Sequence, residues 1–249
     1  MKSYFFIVIL AFLGFASCKP AANATEDKKP PKLSEGDMAL TPEQLKMLFS
    51  KTRNGVTDTR LRWPGARVYF WFDSQIPEND RNLVINALVY IQQYTCVRFY
   101  QGANENNEYI LITNYNQGCF AYVGYLRWAG QQLNLGPGCM YTGTIVHEFL
   151  HALGFYHEQS TYNRDDYVTI NWQNIEKGQE HNFNKYTNQE VTNFGVGYDY
   201  SSIMHYGAYT FSSNGQPTIT AKYSGGENMG QSKGMTYSDI AKINRMYNC

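Results

Sequence analysis

Apolar and polar residues alternate most clearly at 66–73 (ARVYFWFD), where Val68, Phe70 and Phe72 share one face, so a half-buried strand is predicted there. Just downstream the period changes. Val84, Leu88 and Ile91 fall on one side of a helix predicted to run from a cap at Asn79 or Asp80 to about Tyr94. Short strand patterns recur at 97–100, 109–113 and 120–125. Gly136-Pro137-Gly138 then marks a turn, and Ile145, Val146, Phe149, Leu150 and Leu153 give the apolar face of a helix from about Thr142. After Gly154 the periodicity fades, and the Asn-, Gly-, Ser- and Tyr-rich tract from 158 to 235 is predicted to be irregular. A last helix is predicted from near Ser238 to Tyr247, with Thr236 and Asp239 spaced as a capping box and Ile240, Ile243 and Tyr247 on its buried side. Upstream, Thr41 and Pro42 open a short helix reaching Phe49, with Leu45, Met47 and Leu48 apolar. Residues 19–37 carry too few apolar side chains to fold alone and read as a flexible leader. This order of strand, helix, strands and helix predicts an α+β fold rather than a regular βαβ repeat.

The apolar helix also carries chemistry. Residues 147–158 read HEFLHALGFYHE, and His147 and His151, four apart, project from one helical face. Gly154 permits the positive φ at which the helix stops and the chain turns back, which brings His157 to the same point. Three imidazoles with an open fourth position describe a catalytic zinc, one per chain. Glu148, beside the first ligand, is placed to touch a water there rather than to ligate. Histidines scattered by accident on a core helix would not reproduce these offsets.

Composition narrows the function without naming it. Lys plus Arg equals Asp plus Glu at 21 each in 249 residues, so nothing marks a nucleic-acid-binding surface. Lys2 and the short apolar run at 5–15, ending at Ala16 and Ser17, have the proportions of a secretory signal, too short to span a bilayer. No later stretch reaches membrane-spanning length, so a secreted, extracellular, monomeric protein without a membrane anchor is expected. Phe15-Ala16-Ser17-Cys18 loosely resembles a lipoprotein cleavage box, but ordinary cleavage near Cys18 is preferred. Four cysteines then remain, Cys96, Cys119, Cys139 and Cys249. An even count in an exported chain implies two disulfides, with three possible connectivities. Asn23-Ala24-Thr25 is a glycosylation sequon in the leader, and the basic stretch at 51–54 suits nicking by a trypsin-like protease.

From Asn54 to Cys249 the chain resembles the astacin-family metalloproteases, a branch of the metzincins. The resemblance rests on His147, Glu148, His151, Gly154, Phe155, His157 and Glu158, continuing to Arg164 and Asp165, and on Ser202-Ile203-Met204-His205-Tyr206, similar to the family's methionine turn. Smaller echoes are Gly118-Cys119, Tyr167-Val168-Thr169-Ile170-Asn171 and the closing residues 243–249. It implies a zincin-like catalytic domain of two subdomains, a twisted N-terminal sheet with two long helices and an irregular C-terminal part ending in a helix. It also implies a signal peptide at 1–18, a pro-segment at 19–53 and a catalytic domain at 54–249.

The resemblance assigns roles as well. Met204 would form a hydrophobic floor beneath the zinc histidines, and Tyr206 would be a weak extra ligand that swings away to steady the transition state. Glu158 would anchor the new N-terminus at Asn54 once the leader is cut. The cysteines would pair as Cys96 with Cys249 and Cys119 with Cys139, closing loops worth about 3 and about 5 kcal/mol for the shorter and longer by chain entropy. Glu35-Gly36-Asp37 is similar to the pro-segment motif in which an aspartate caps the zinc, although Ser34 stands where the family usually has phenylalanine. Thr161 and Asn163 replace the Arg and Asp common after the third ligand, which bears on local ion pairing and substrate preference. The expected activity is that of a zinc endopeptidase made as a zymogen, acting on protein or peptide substrates with Glu148 as general base and acid. The alternative is an inactive relative kept for adhesion, which should have lost Glu148 or a zinc histidine.

Overall fold

A computed structural model of the chain describes residues 31–49 and 58–249. The expected signal sequence, Cys18, the sequon at Asn23 and the expected cut between Arg53 and Asn54 all lie outside the described residues. The order begins with β1 (Leu33–Ser34), β2 (Met38–Ala39), α1 (Pro42–Phe49), β3 (Arg67–Phe72), α2 (Glu78–Tyr94), β4 (Arg98–Gln101) and β5 (Tyr109–Thr113). It continues with β6 (Cys119–Tyr122), β7 (Ala129–Leu135), α3 (Thr142–Leu153), β8 (Val168–Ile170), β9 (Ile219–Ala221) and α4 (Tyr237–Tyr247). Seven strands form one mixed sheet in the order β1-β2-β6-β7-β5-β3-β4. The helices α2 and α3 pack together, and α3 also lies against β6 and β7. Their shared core holds Val84, Leu88 and Ile91 of α2, Ile145, Phe149 and Leu153 of α3, and Ile110, Ile112 and Leu133 of the sheet.

Three sequence expectations need correcting. First, α2 starts at Glu78 behind Pro77, with no side-chain cap. Proline's fixed φ sets the entry, and Glu78 and Asp80 in the first turn complement the helix dipole. Second, β7 was not foreseen, because its sequence AGQQLNL does not alternate cleanly. Its buried polar residues are satisfied locally: Gln131 donates to the Gly124 carbonyl at 2.8 Å, and Asn134 accepts from Thr113 at 2.6 Å. Third, the end of the stretch read as a flexible leader is tied to the sheet, through the strand at Leu33–Ser34 and the turn that follows it. β1 and β2 make a hairpin, β2 pairs in parallel with β6, and Ala121 donates to the Asp37 carbonyl at 3.0 Å. The leader cannot bury itself, but an existing sheet edge supplies what it lacks. Met38 and Ala39 are fully buried against it.

The segment between α3 and α4 is largely irregular, as the fading periodicity predicts, apart from the small antiparallel pair β8–β9. The helix α4 closes it. Thr236 and Asp239 form the predicted capping box, and Ile243 and Met246 join the main core. Disulfides link Cys96 to Cys249, which fastens the end of α4 beside α2, and Cys119 to Cys139. No helix among the described residues is long and apolar enough to cross a membrane.

Candidate zinc centre

Three pieces of chain meet at one point. The helix α3 presents His147 and His151 four residues apart, and Gly154 ends it with φ 109°. Its N–H closes on the His151 and Leu150 carbonyls, which is the left-handed helix stop that glycine favours. The chain reverses and delivers His157, whose ring lies 4.8 Å from that of His151 and 5.3 Å from that of His147, centroid to centroid. The third piece is the leader. Asp37 sits with Oδ2 3.2 Å from Nε2 of His147 and Oδ1 3.5 and 3.3 Å from Nε2 of His151 and His157. One ligand atom from each of these four residues lies within 4.8 Å of the others.

The hydrogen-bond partners of the histidines suit this cluster to a cation. Nδ1 of His147 lies 2.8 Å from the Ile203 carbonyl, and Nδ1 of His151 lies 2.7 Å from that of Phe155. A carbonyl only accepts, so both Nδ1 atoms carry hydrogen, and in the neutral rings both Nε2 atoms then present lone pairs. Those two Nε2 atoms are 3.1 Å apart and face a carboxylate. Two lone pairs at that distance repel unless a proton or a metal ion lies between them. Oδ1 of Asp37 and Nε2 of His157 are buried without a hydrogen-bond partner, as groups awaiting a metal would be. Burial lowers the pKa of His157, but the Asp37 and Glu35 carboxylates outweigh it and lift it to about 10, so the pocket favours a positive charge at this ring, whether a proton or a metal ion. Three imidazole nitrogens and one carboxylate oxygen match the donor set and tetrahedral number that zinc prefers.

Around the cluster, Glu148 is 1% exposed and its Oε2 has no partner. Burial first, and then the charge of Asp37, push its pKa well above the ordinary carboxylate value. A cavity of about 340 Å³ opens beside it, lined by Gly143, Thr144, Thr210, Gln231 and Ser232 among others. Met204 is buried in the main core, and its carbonyl accepts from Glu158 N–H at 2.9 Å, tying the 202–206 turn to the third histidine. The hydroxyl of Tyr206 donates to the Glu35 carbonyl instead of joining the cluster. Gly36, at φ 81°, lets the leader bend there, and a Cβ on it would stand 3.1 Å from the Phe211 ring.

The sequence profile of the peptidase family described as Astacin matches residues 55–248. The chain belongs to the astacin family. It is 38% identical to zinc metalloproteinase nas-4 of Caenorhabditis elegans over 220 residues, 87% of this chain and 69% of that protein. It is 39% identical over 218 residues to meprin A subunit beta of Homo sapiens, covering 87% of this chain but only 30% of that subunit. Among solved structures it is similar to high choriolytic enzyme 1, a hatching enzyme zinc-protease from Oryzias latipes, with a TM-score of 0.72 and 35% identity. That match covers 80% of this chain and 100% of the other. As an astacin peptidase, the chain is a zinc metalloendopeptidase with the α+β fold of its family, and its substrates are peptides.

Several contacts around this astacin centre had no counterpart in the sequence reading. Glu35, 1% exposed, places Oε2 2.8 Å from Nδ1 of His157 and accepts from the Tyr186 hydroxyl. The motif Glu35-Gly36-Asp37 drew attention to its aspartate alone, and nothing in the sequence pointed to Tyr186. Glu158 is paired with Lys242 of α4 at 2.6 Å and accepts from Asp199 N–H at 3.1 Å. An internal ammonium, that of Lys242, thus already occupies the carboxylate expected to meet a new N-terminus. Thr161 and Asn163 settle their polar atoms on each other and on Glu158 O and Asn193 Nδ2.

Proposed function

We propose that the chain is an exported, latent astacin precursor whose leader holds the active centre shut until it is cut between Arg53 and Asn54. The observation that carries this reading is the approach of the Asp37 carboxylate to all three imidazoles at 3.2–3.5 Å, on the side where a water would have to bind. The leader is held there by pairing with β6 and by the reciprocal Thr41–Gln44 cap of α1, whose Gln44 also donates to Val123 O at 2.9 Å. A trypsin-like protease is the activator that a basic cut site calls for.

When bound by His147, His151 and His157, zinc supplies a Lewis acid for the scissile carbonyl and lowers the pKa of water to about 7. In the cut enzyme Glu148 loses the charge of Asp37 that raises its pKa, and its buried Oε2 takes a proton from the attacking water. The same oxygen then gives that proton to the leaving amine nitrogen. Tyr206, released from the Glu35 carbonyl, has its hydroxyl free to donate to the developing oxyanion. Met204 fixes the floor of the site, and the cavity beside Glu148 takes a substrate side chain. The mature protein works as a secreted monomer, with the ammonium of Asn54 joining the group around Glu158.

The test is limited trypsin treatment, with N-terminal sequencing of the product and a casein assay before and after. The expected result is a new terminus at Asn54 together with the onset of casein cleavage. Equal casein cleavage by the uncut chain would overturn the latent reading.

A further inference from the structure

The carbonyl that fixes the first histidine is itself held from a distance. Ile203 O accepts from Nδ1 of His147, and Ile203 N–H donates to Oδ2 of Asp239 at 3.1 Å. Oδ1 of Asp239 accepts from the Ser202 hydroxyl at 2.6 Å, and the same Ser202 Oγ accepts from Met204 N–H at 3.1 Å. One buried carboxylate, 3% exposed, thus takes donors from both Ser202 and Ile203 and indirectly steadies Met204. Its third donor is Thr236 N–H at 2.9 Å, the capping-box contact of α4.

We infer that Asp239 is a positioning residue for the zinc site, acting through the Ile203 peptide to hold His147 in the tautomer and orientation that aim Nε2 at the metal. The backbone at Ile203 is pinned on both sides, by Asp239 at its N–H and by His147 at its carbonyl. Without the carboxylate, two N–H groups and a hydroxyl inside the protein lose their acceptor, and the 202–204 peptides turn to find others. The Ile203 carbonyl turns with them, and Nδ1–H of His147 loses the partner that keeps the proton off Nε2. Outer partners of metal-binding histidines have this influence in general, and their loss costs 10- to 100-fold in metal affinity or activity. The role is not simply that of a helix cap. Capping alone needs Thr236 and one carboxylate oxygen, whereas here both oxygens also serve the turn.

The inference rests on His147 being a zinc ligand, and its test is read on the metal as well as on turnover. Zinc retention by the full-length chain is titrated against a chelator for wild type, Asp239→Ala, Asp239→Asn and Met246→Ala. Met246 lies on the same helix, buried in the core and away from the turn, and reports the effect of weakening α4 alone. Asp239→Ala should lower zinc affinity about 10-fold or more, and after activation should lower kcat by a similar factor with KM within about two-fold. Asp239→Asn keeps an oxygen for the two backbone N–H groups and turns its NH2 toward Ser202 Oγ, so it should restore most of the zinc affinity. Met246→Ala should lower the melting temperature without loosening zinc. Wild-type zinc retention in Asp239→Ala, or equal zinc loss in Met246→Ala, overturns the inference. If Asp239→Ala does not fold, Ser202→Ala replaces it, and unchanged zinc retention there overturns the inference too. A wild-type enzyme that holds zinc but cuts nothing would count against the proposed function and leave this reading intact.

Discussion

Nδ1 of His157 and Oε2 of Glu35 stand 2.8 Å apart, and both side chains are sealed from solvent. The leader therefore grips the third histidine from two directions, with Asp37 at one ring nitrogen and Glu35 at the other. A buried hydrogen bond to a carboxylate contributes about 1.5–3 kcal/mol. Glu35→Ala should accordingly loosen the leader without touching the metal face. The expected outcome is a measurable rate of peptide cleavage by the uncut chain, with Asp37→Ala leaking more. An assay with a quenched fluorescent peptide, on chains whose Arg53 is replaced to block cutting, reads both. Complete silence from Glu35→Ala would assign latency to Asp37 alone.

Among the described residues, Glu148 is the carboxylate outside the leader that brings a free, buried oxygen to the zinc cluster. Loss of a positioned general base costs about 10²- to 10⁴-fold in rate. Glu148→Ala should fall by that factor in kcat while holding one zinc per chain, as measured by metal analysis of the activated protein. Undiminished turnover would remove Glu148 from the mechanism.

The pair between Glu158 and Lys242 makes a stability prediction. Burial raises the Glu158 pKa, and the Lys242 charge pulls it back. Lys242→Met leaves that carboxylate buried without its cation, at a cost of about 3–5 kcal/mol in urea unfolding. Glu158→Gln added to Lys242→Met should recover much of the loss, because no lone charge then remains inside. If the double variant is no better than the single, the pair contributes through packing rather than charge.

His205 gives the pH dependence. Its Nδ1 lies 2.7 Å from the Tyr206 carbonyl and its Nε2 2.7 Å from the Tyr198 hydroxyl. Nδ1 therefore carries a proton, because a carbonyl only accepts, while the Tyr198 hydroxyl can either donate to Nε2 or accept from it, so burial is what favours the neutral ring. Burial holds its pKa down to about 4. A folded pKa below the unfolded value of about 6.5 means the stability is fully present above pH ~6.5 and drains away as pH falls through 4. The loss across that window is about 3 kcal/mol. His205→Gln, which has no titration there, should show a flatter melting temperature between pH 6.5 and 4 than wild type.

Much of the centre was legible because its information is local. Spacing on one helix gives His147 and His151, the glycine stop gives the reversal to His157, and Thr236 with Asp239 spells its own cap. Elements that depend on distant partners were not legible. The strand β7 hides its polar residues through hydrogen bonds to Gly124 and Thr113, so no alternation shows. The hairpin at 33–39 is invisible in the leader because what it packs on is the edge of another strand, β6. Nothing local marks Lys242 or Tyr186, since Glu158 lies 84 positions from the first and Glu35 151 from the second.

The pairing of the leader with β6 carries a further consequence. Ala121 and Val123 donate their N–H groups to the Asp37 and Ala39 carbonyls. Once the leader is gone, those donors line a bare strand rim of the kind that recruits extended chains indiscriminately, including other copies of the same protein. On the proposed activation, the leader would double as an aggregation guard during folding, and late cutting would confine the sticky rim to the time when peptides are there to occupy it.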